Sequence, residues 1–174
     1  GDSIVLGDGN DSLSATLNAG TVTPVAMTGV ENVMFTVLGD ATVDFDNVSG
    51  VTSIISRGSS ATLLVDDIQE IPTSISINNN TAVQTFVVKD TAVSGNEDSI
   101  TLNFDGVGGV VNVGGETDGD GDIETFTIVA SAGASDLGVG NGFGADATTI
   151  TVNATSALDL GSTAQFIAST NFDA

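Results

Sequence analysis

The chain has 174 residues, of which 23 are acidic, two are basic (Arg57 and Lys89) and none is histidine, giving a formal net charge of -21. Two cations cannot offset a phosphate backbone, so nucleic acid is excluded as a partner, and anionic membrane surfaces are excluded with it unless Ca²⁺ bridges. Without His or Cys the usual nucleophile–base pairs and zinc sites are missing, while 40% hydrophobic residues and a mean hydropathy of +0.29 separate the chain from disordered acidic polymers.

The first segment is Gly1-Asp2-Ser3-Ile4-Val5-Leu6-Gly7-Asp8-Gly9-Asn10-Asp11-Ser12-Leu13. Asp2-Ser3-Ile4 and Asp11-Ser12-Leu13 are the same acid–Ser–aliphatic triplet, nine residues apart. That register matches the Gly/Asp-rich nonapeptide that binds Ca²⁺ between turns of a parallel β-roll. Glycine lets the backbone turn and expose carbonyls, Asp supplies a hard anionic oxygen, and the aliphatic residue points into the coil. Asp2, Asp8, Asn10 and Asp11 are the candidate ligands here.

Onward from Val30, helix signals are nearly absent and strand and turn residues dominate. Alternation of period two recurs at Val33–Val37, Ala41–Phe45, Ile75–Ile77, Ile100–Phe104, Phe126–Ile128, Ile150–Val152 and Leu158–Leu160. Such short, closely spaced bursts predict an all-β chain, a parallel β-solenoid (β-helix, β-roll-like) with irregular loops. An antiparallel β-sandwich is the alternative. At roughly 20 residues per turn and ~4.8 Å per rung the solenoid would be a rod on the order of 40 Å long. A weak internal repeat aligns Val83-Gln84-Thr85-Phe86-Val87-Val88 with Ile123-Glu124-Thr125-Phe126-Thr127-Ile128. Val30-Glu31-Asn32-Val33-Met34-Phe35 shares the same start. No composition break divides the chain, so residues 1–174 read as one solenoid segment, a piece of a longer repetitive protein.

Three groups of acidic residues stand out beyond the first segment. Asp44, Asp46, Asp66 and Asp67 read as ordinary outward residues. Gly95-Asn96-Glu97-Asp98-Ser99-Ile100 repeats the Asp–Ser–aliphatic triplet before a strand, so Asn96 and Asp98 are either ligands or an Asx turn opening that strand. Glu116 to Glu124 holds five acids in nine residues with no base nearby. Asp118, Asp120 and Asp122 alternate there as in the first half of an EF-hand loop, and Glu124 follows. The cluster is either a Ca²⁺ site or a solvated turn, with Mg²⁺ less suited to flexible glycine-rich carbonyl sites. Paired carboxylates alone do not make a glycosidase when every aromatic residue is one of eight Phe, so the chain reads as a non-enzyme.

The Gly-Asp-Gly-Asn-Asp-Ser-Leu run resembles the repeat of secreted calcium-binding proteins of the haemolysin-type (RTX) class. Ile123–Ile128 with Ile150–Leu160 resembles the repetitive central regions of Gram-negative bacterial surface-layer proteins exported by type I secretion. The resemblance implies a Ca²⁺-stapled, self-assembling lattice or fibre module at the bacterial cell surface, with turn and ligand positions at Gly7, Gly9, Asn10 and Asp11. Its expected partners are further copies of itself and, through other parts of the parent, cell-surface polysaccharide. Neither nucleic-acid binding nor membrane insertion is expected. An adhesin stalk, or the non-catalytic β-helix of a polysaccharide-acting enzyme, is the competing reading.

Overall fold

The structure, a computed structural model, describes residues 3–117, 123–133, 135–136, 138–139, 147–159 and 171–173. In chain order the strands are β1 (Ser3–Val5), β2 (Ser12–Leu17), β3 (Gly20–Val22), β4 (Ala26–Thr28), β5 (Asn32–Val37), β6 (Ala41–Asp44), β7 (Ser53–Arg57), β8 (Leu63–Ile68) and β9 (Ser74–Asn78). The second half adds β10 (Gln84–Val88), β11 (Ser99–Asp105), β12 (Val110–Gly115), β13 (Thr125–Ala132), β14 (Ser135–Asp136), β15 (Gly138–Val139), β16 (Thr149–Ala154), β17 (Leu158–Asp159) and β18 (Asn171–Asp173). Among the described residues there is no helix, hence none long and apolar enough to cross a membrane.

Among the described residues every strand pair is parallel, and the chain winds into a β-solenoid of about 6 turns. An eight-stranded sheet runs in the order β18-β16-β13-β11-β9-β7-β5-β2, and a six-stranded sheet runs β15-β12-β10-β8-β6-β3. Short pairs β1–β4 and β14–β17 cover parts of the remaining sides. The step from coil to coil is not constant. It is 20 residues from Asp11 to Glu31 and 21 from Glu31 to Thr52, then 27 from Ser76 to Asn103 and 26 from Asp98 to Glu124. Longer coils in the second half use up chain without adding rungs, and the eight strands of the larger sheet, seven steps of ~4.8 Å, span about 34 Å.

The alternating residues explain the core. Along the eight-stranded sheet Leu13, Val33, Ile54, Ile75, Leu102, Ile128 and Val152 stack in register, and the middle five are fully buried. From the other sheet Val43, Val65, Phe86 and Val113 face them. Each rung therefore buries one or two β-branched or aromatic side chains at ordinary strand geometry, which is what this composition favours. Phe35 and Phe45 meet across one coil with ring centroids 6.4 Å apart and a tilt of 58°.

A polar plug interrupts this core. Ser56 and Gln84 occupy inward positions on opposite sheets, and the Ser56 hydroxyl donates to Gln84 Oε1 at 2.7 Å. Asn80 Nδ2 donates to Ser56 Oγ at 2.8 Å, and Asn80 Oδ1 accepts the Ser59 amide at 2.8 Å. Ser59 Oγ lies 3.0 Å from Ser56 Oγ and accepts the Val37 amide at 3.0 Å. Gln84 Nε2 donates to the Val83 carbonyl at 3.0 Å. Every side chain of the plug thus finds partners inside the coil stack, the condition for burying polar groups.

The same corner shows how the chain turns. Gly58, Asn79, Gly106 and Gly133 have φ of 62°, 53°, 65° and 62° in four successive coils. A left-handed residue thus follows β7, β9, β11 and β13 and aims the chain at the other sheet, which only Gly or Asn does cheaply.

One sequence alignment does not survive as drawn. Val83–Val88 corresponds to β10 of the six-stranded sheet, whereas Thr125–Ile128 belongs to β13 of the eight-stranded one. The neighbours of β10 are β8 and β12, with Phe86 in register with Val65 and Val113. Both sheets bury alternate residues, so their strands look alike in sequence although they form different sides of the coil.

Candidate functional site

Three groups of acidic residues lie at the corners of the coils. At the first, Asp8 sits exposed in the turn between β1 and β2, and Asn10 and Asp11 lead into β2. Glu31, in the next coil, reaches back so that its Oε2 accepts the Asp11 amide at 2.8 Å. Asn32 Nδ2 donates to Asn10 Oδ1 and also to the Asp11 carbonyl, the latter at 3.3 Å. The Glu31 carbonyl then accepts the amides of Thr52 and Ser53, both at 2.9 Å, and the Thr52 hydroxyl at 3.3 Å.

The second group repeats this device. Glu124 Oε2 accepts the Asp98 amide at 2.9 Å, and the Glu124 carbonyl takes the amides of Thr148 and Thr149 at 2.9 and 3.0 Å. The Thr148 hydroxyl adds a bond of 3.4 Å. In both places a buried aliphatic residue (Val30, Ile123) precedes the Glu, and an Asp–Ser–aliphatic triplet supplies the capped amide. The sequence likeness between Val30-Glu31 and Ile123-Glu124 is therefore a likeness of corner geometry. Asp98 also folds back, its Oδ2 accepting the Gly95 amide at 3.2 Å. A Cβ on Gly95 would stand 2.9 Å from that oxygen, so a larger residue there would push the Asp98 carboxylate aside. Asn96 and Glu97 are exposed in the same turn.

Sequence reasoning missed the third group. Lys89 Nζ lies 2.7 Å from Asp67 Oδ1, 3.5 Å from Asp46 Oδ1 and 3.7 Å from Glu116 Oε1. Those carboxylates come from two coils before the lysine, one coil before it and one coil after it, so a single ammonium spans four coils. Lys89 pulls the Asp67 carboxyl below its ordinary value, while the Asp67 carboxylate pushes Glu116 above its own. Asp67, hydrogen-bonded to the ammonium, raises Lys89. Asp90, next to the lysine, is lowered first by a hydrogen bond from the Thr117 side chain and then by the Thr117 amide, which it accepts at 3.0 Å. The signal in the sequence was the lysine itself: one of two bases among 23 acids has to stand beside carboxylates.

Of the ten residues read as metal ligands, Asp8, Asn10 and Asp11 gather at the first corner and Asn96, Asp98 and Glu124 at the second. Asp2, Asp118, Asp120 and Asp122 lie outside the described residues. Among the described residues no three carboxylates are grouped so as to hold a metal ion. Glu31 and Glu124 are each committed through one oxygen to a backbone amide, a charge-assisted bond that fixes the register between coils.

The chain matches no protein-family model, no curated protein and no solved structure.

Proposed function

We propose that this chain is a structural module of a bacterial surface layer, an extracellular β-solenoid that Ca²⁺ stabilises and that assembles with copies of itself. What carries the reading is the stacking of carboxylates at the corners of a parallel coil. A solenoid repeats each position every ~4.8 Å, so acids at equivalent corners face one another, and a charge of -21 accumulates along a short rod. Lys89 offsets part of it at one corner only. A hard divalent cation that accepts carboxylate and carbonyl oxygens is the economical counter-charge for the rest. Asp8, Asn10 and Asp11, and separately Asn96 and Asp98, would supply such oxygens, together with Asp2, Asp118, Asp120 and Asp122. At low Ca²⁺ the like charges hold the chain loose and exportable. Outside the cell, ligation offsets the repulsion and the aliphatic ladders close.

The test is a far-UV circular dichroism melt with light scattering, in EDTA and then in millimolar Ca²⁺ or Mg²⁺. Ca²⁺ is expected to raise the melting temperature and induce assembly where Mg²⁺ does not. A chain equally stable and equally monomeric in chelator overturns the proposal and favours a ligand-binding module.

A further inference from the structure

The outer face of the eight-stranded sheet is nearly free of charge. Its outward positions form columns that run from coil to coil. One is Ser12, Asn32, Ser53, Ser74, Thr101, Thr127 and Thr151, and beside it stand Ser14, Met34, Ile55, Ser76, Asn103, Val129 and Asn153. Ser99, Thr125 and Thr149 begin a further column at one edge. On strands β2 to β16 the charged outward positions among the described residues are Arg57 and Asp105, both in the row at the far edge and two rungs apart, and by register Asp173 follows Thr151 in the first column at the terminal rung. The acids instead sit at the corners and on the six-stranded sheet, where Asp44 and Asp66 point outward.

We infer that this face is where a second copy of the chain docks, sheet against sheet. The inference rests on the self-assembly reading and names its surface. Two bodies of charge -21 repel wherever carboxylates meet, and this face is the approach on which they do not. It is also self-complementary: hydroxyl and amide columns recur at the same rung spacing on both copies, so donors and acceptors can interleave over the whole length. Half-buried Met34 and Ile55 supply an apolar centre on neighbouring strands β5 and β7. Seven rungs of about five residues span about 30 Å by about 17 Å, or about 500 Å² on each partner. That total of about 1,000 Å² is the lower limit for a specific interface, so the pairing is weak and driven by concentration.

The experiment is sedimentation velocity over a concentration series, in EDTA and in Ca²⁺, with variants that add equal charge in different places. Ser74→Asp with Thr127→Asp puts two carboxylates in the middle of the face. Thr42→Asp with Thr85→Asp puts two on the outside of the six-stranded sheet. The first pair is expected to weaken association at least tenfold and the second to leave it within twofold. Because the chain has no cysteine, Ser76→Cys and Thr42→Cys give an independent readout that needs no added charge. A short bis-maleimide is expected to cross-link the Ser76→Cys chain and not the other. Equal effects of the two charge pairs, or equal cross-linking, overturn the inference. So does a chain that stays monomeric at millimolar concentration and instead binds an oligosaccharide in the cleft beside Pro72, Thr73, Ser99 and Thr101. Association that needs Ca²⁺ yet survives Ser74→Asp/Thr127→Asp refutes this face and leaves the surface-layer reading standing. Ca²⁺-independent association abolished by that pair does the reverse.

Discussion

Replacing Asn80 with leucine tests whether the polar plug stabilises the stack. The side chain is fully buried and nearly isosteric with leucine, so packing changes little. What is lost is the acceptor for the Ser59 amide at 2.8 Å and the donor to Ser56 Oγ at 2.8 Å. The Ser59 amide is then stranded away from water, at about 1–3 kcal/mol, and the lost bond to Ser56 adds about 1 kcal/mol. The expected destabilisation is about 2–4 kcal/mol, which for a chain of this length lowers the melting temperature by about 5–15 °C. Urea denaturation read by circular dichroism measures it, with the half-exposed Asn78→Leu as the control, expected within about 0.5 kcal/mol. The network also predicts coupling. A triple variant, Ser56→Ala/Asn80→Leu/Gln84→Leu, removes donors and acceptors together and costs less than the sum of its single changes. An Asn80→Leu chain as stable as wild type, or strictly additive single changes, would refute this account of the plug.

The corner glutamates predict local effects. Glu31→Ala and Glu124→Ala each lose a charge-assisted bond, about 1–2 kcal/mol after solvent screening, and speed hydrogen exchange at the Asp11 and Asp98 amides respectively; exchange that rises uniformly along the chain would contradict the register role. At the lysine corner the three groups shift in different senses. Asp67 is lowered from 3.8, so its contribution is present above that value and disappears as pH falls through its folded pKa. Glu116 is raised from 4.5, so it favours folding only while protonated and that contribution is lost as pH rises through its folded value. Lys89 is raised from 10.5, and its contribution persists past that pH before vanishing at higher alkalinity. Carboxyl ¹³C titration should place Asp67 below and Glu116 above their ordinary values, with Lys89→Met moving Asp67 back up; the opposite order of titration would show that the ammonium does not sit between them. At the left-handed corner, Gly58→Asn should be tolerated within about 0.5 kcal/mol, because Asn79 holds the same conformation one coil on, while Gly58→Val should cost about 1–2 kcal/mol. Equal melting temperatures for the two variants would mean that the corner relaxes.

Much of the architecture could be read before any coordinates. Alternation at Val33–Val37, Ile75–Ile77 and Ile100–Phe104 marks β5, β9 and β11, because period-two burial is the local consequence of a strand with one face in a core. Short bursts and scarce helix formers pointed to a coil of parallel strands, and the recurring aliphatic–Glu and Asp–Ser–aliphatic pieces marked corners that do share a geometry. Pairing was another matter. Period two is common to both sheets, so Val83–Val88 and Ile123–Ile128 align well in sequence and lie on different sides of the solenoid. Coil length decides which strands become neighbours, and the coil lengthens from 20 to 27 residues without a local signature. Ser56 and Gln84 show the same limit: alternation with Ile54 and Phe86 turns them inward, but neither residue type calls for burial, and the partners that permit it meet across 24 residues (Asn80 with Ser56) and 28 residues (Ser56 with Gln84). Lys89 meets Asp46, Asp67 and Glu116 for the same reason. Composition and periodicity act over a few residues and settle strand, turn and charge; which side chains meet across the stack is set by chain closure over 20 residues and more, and only the folded coil contains that information.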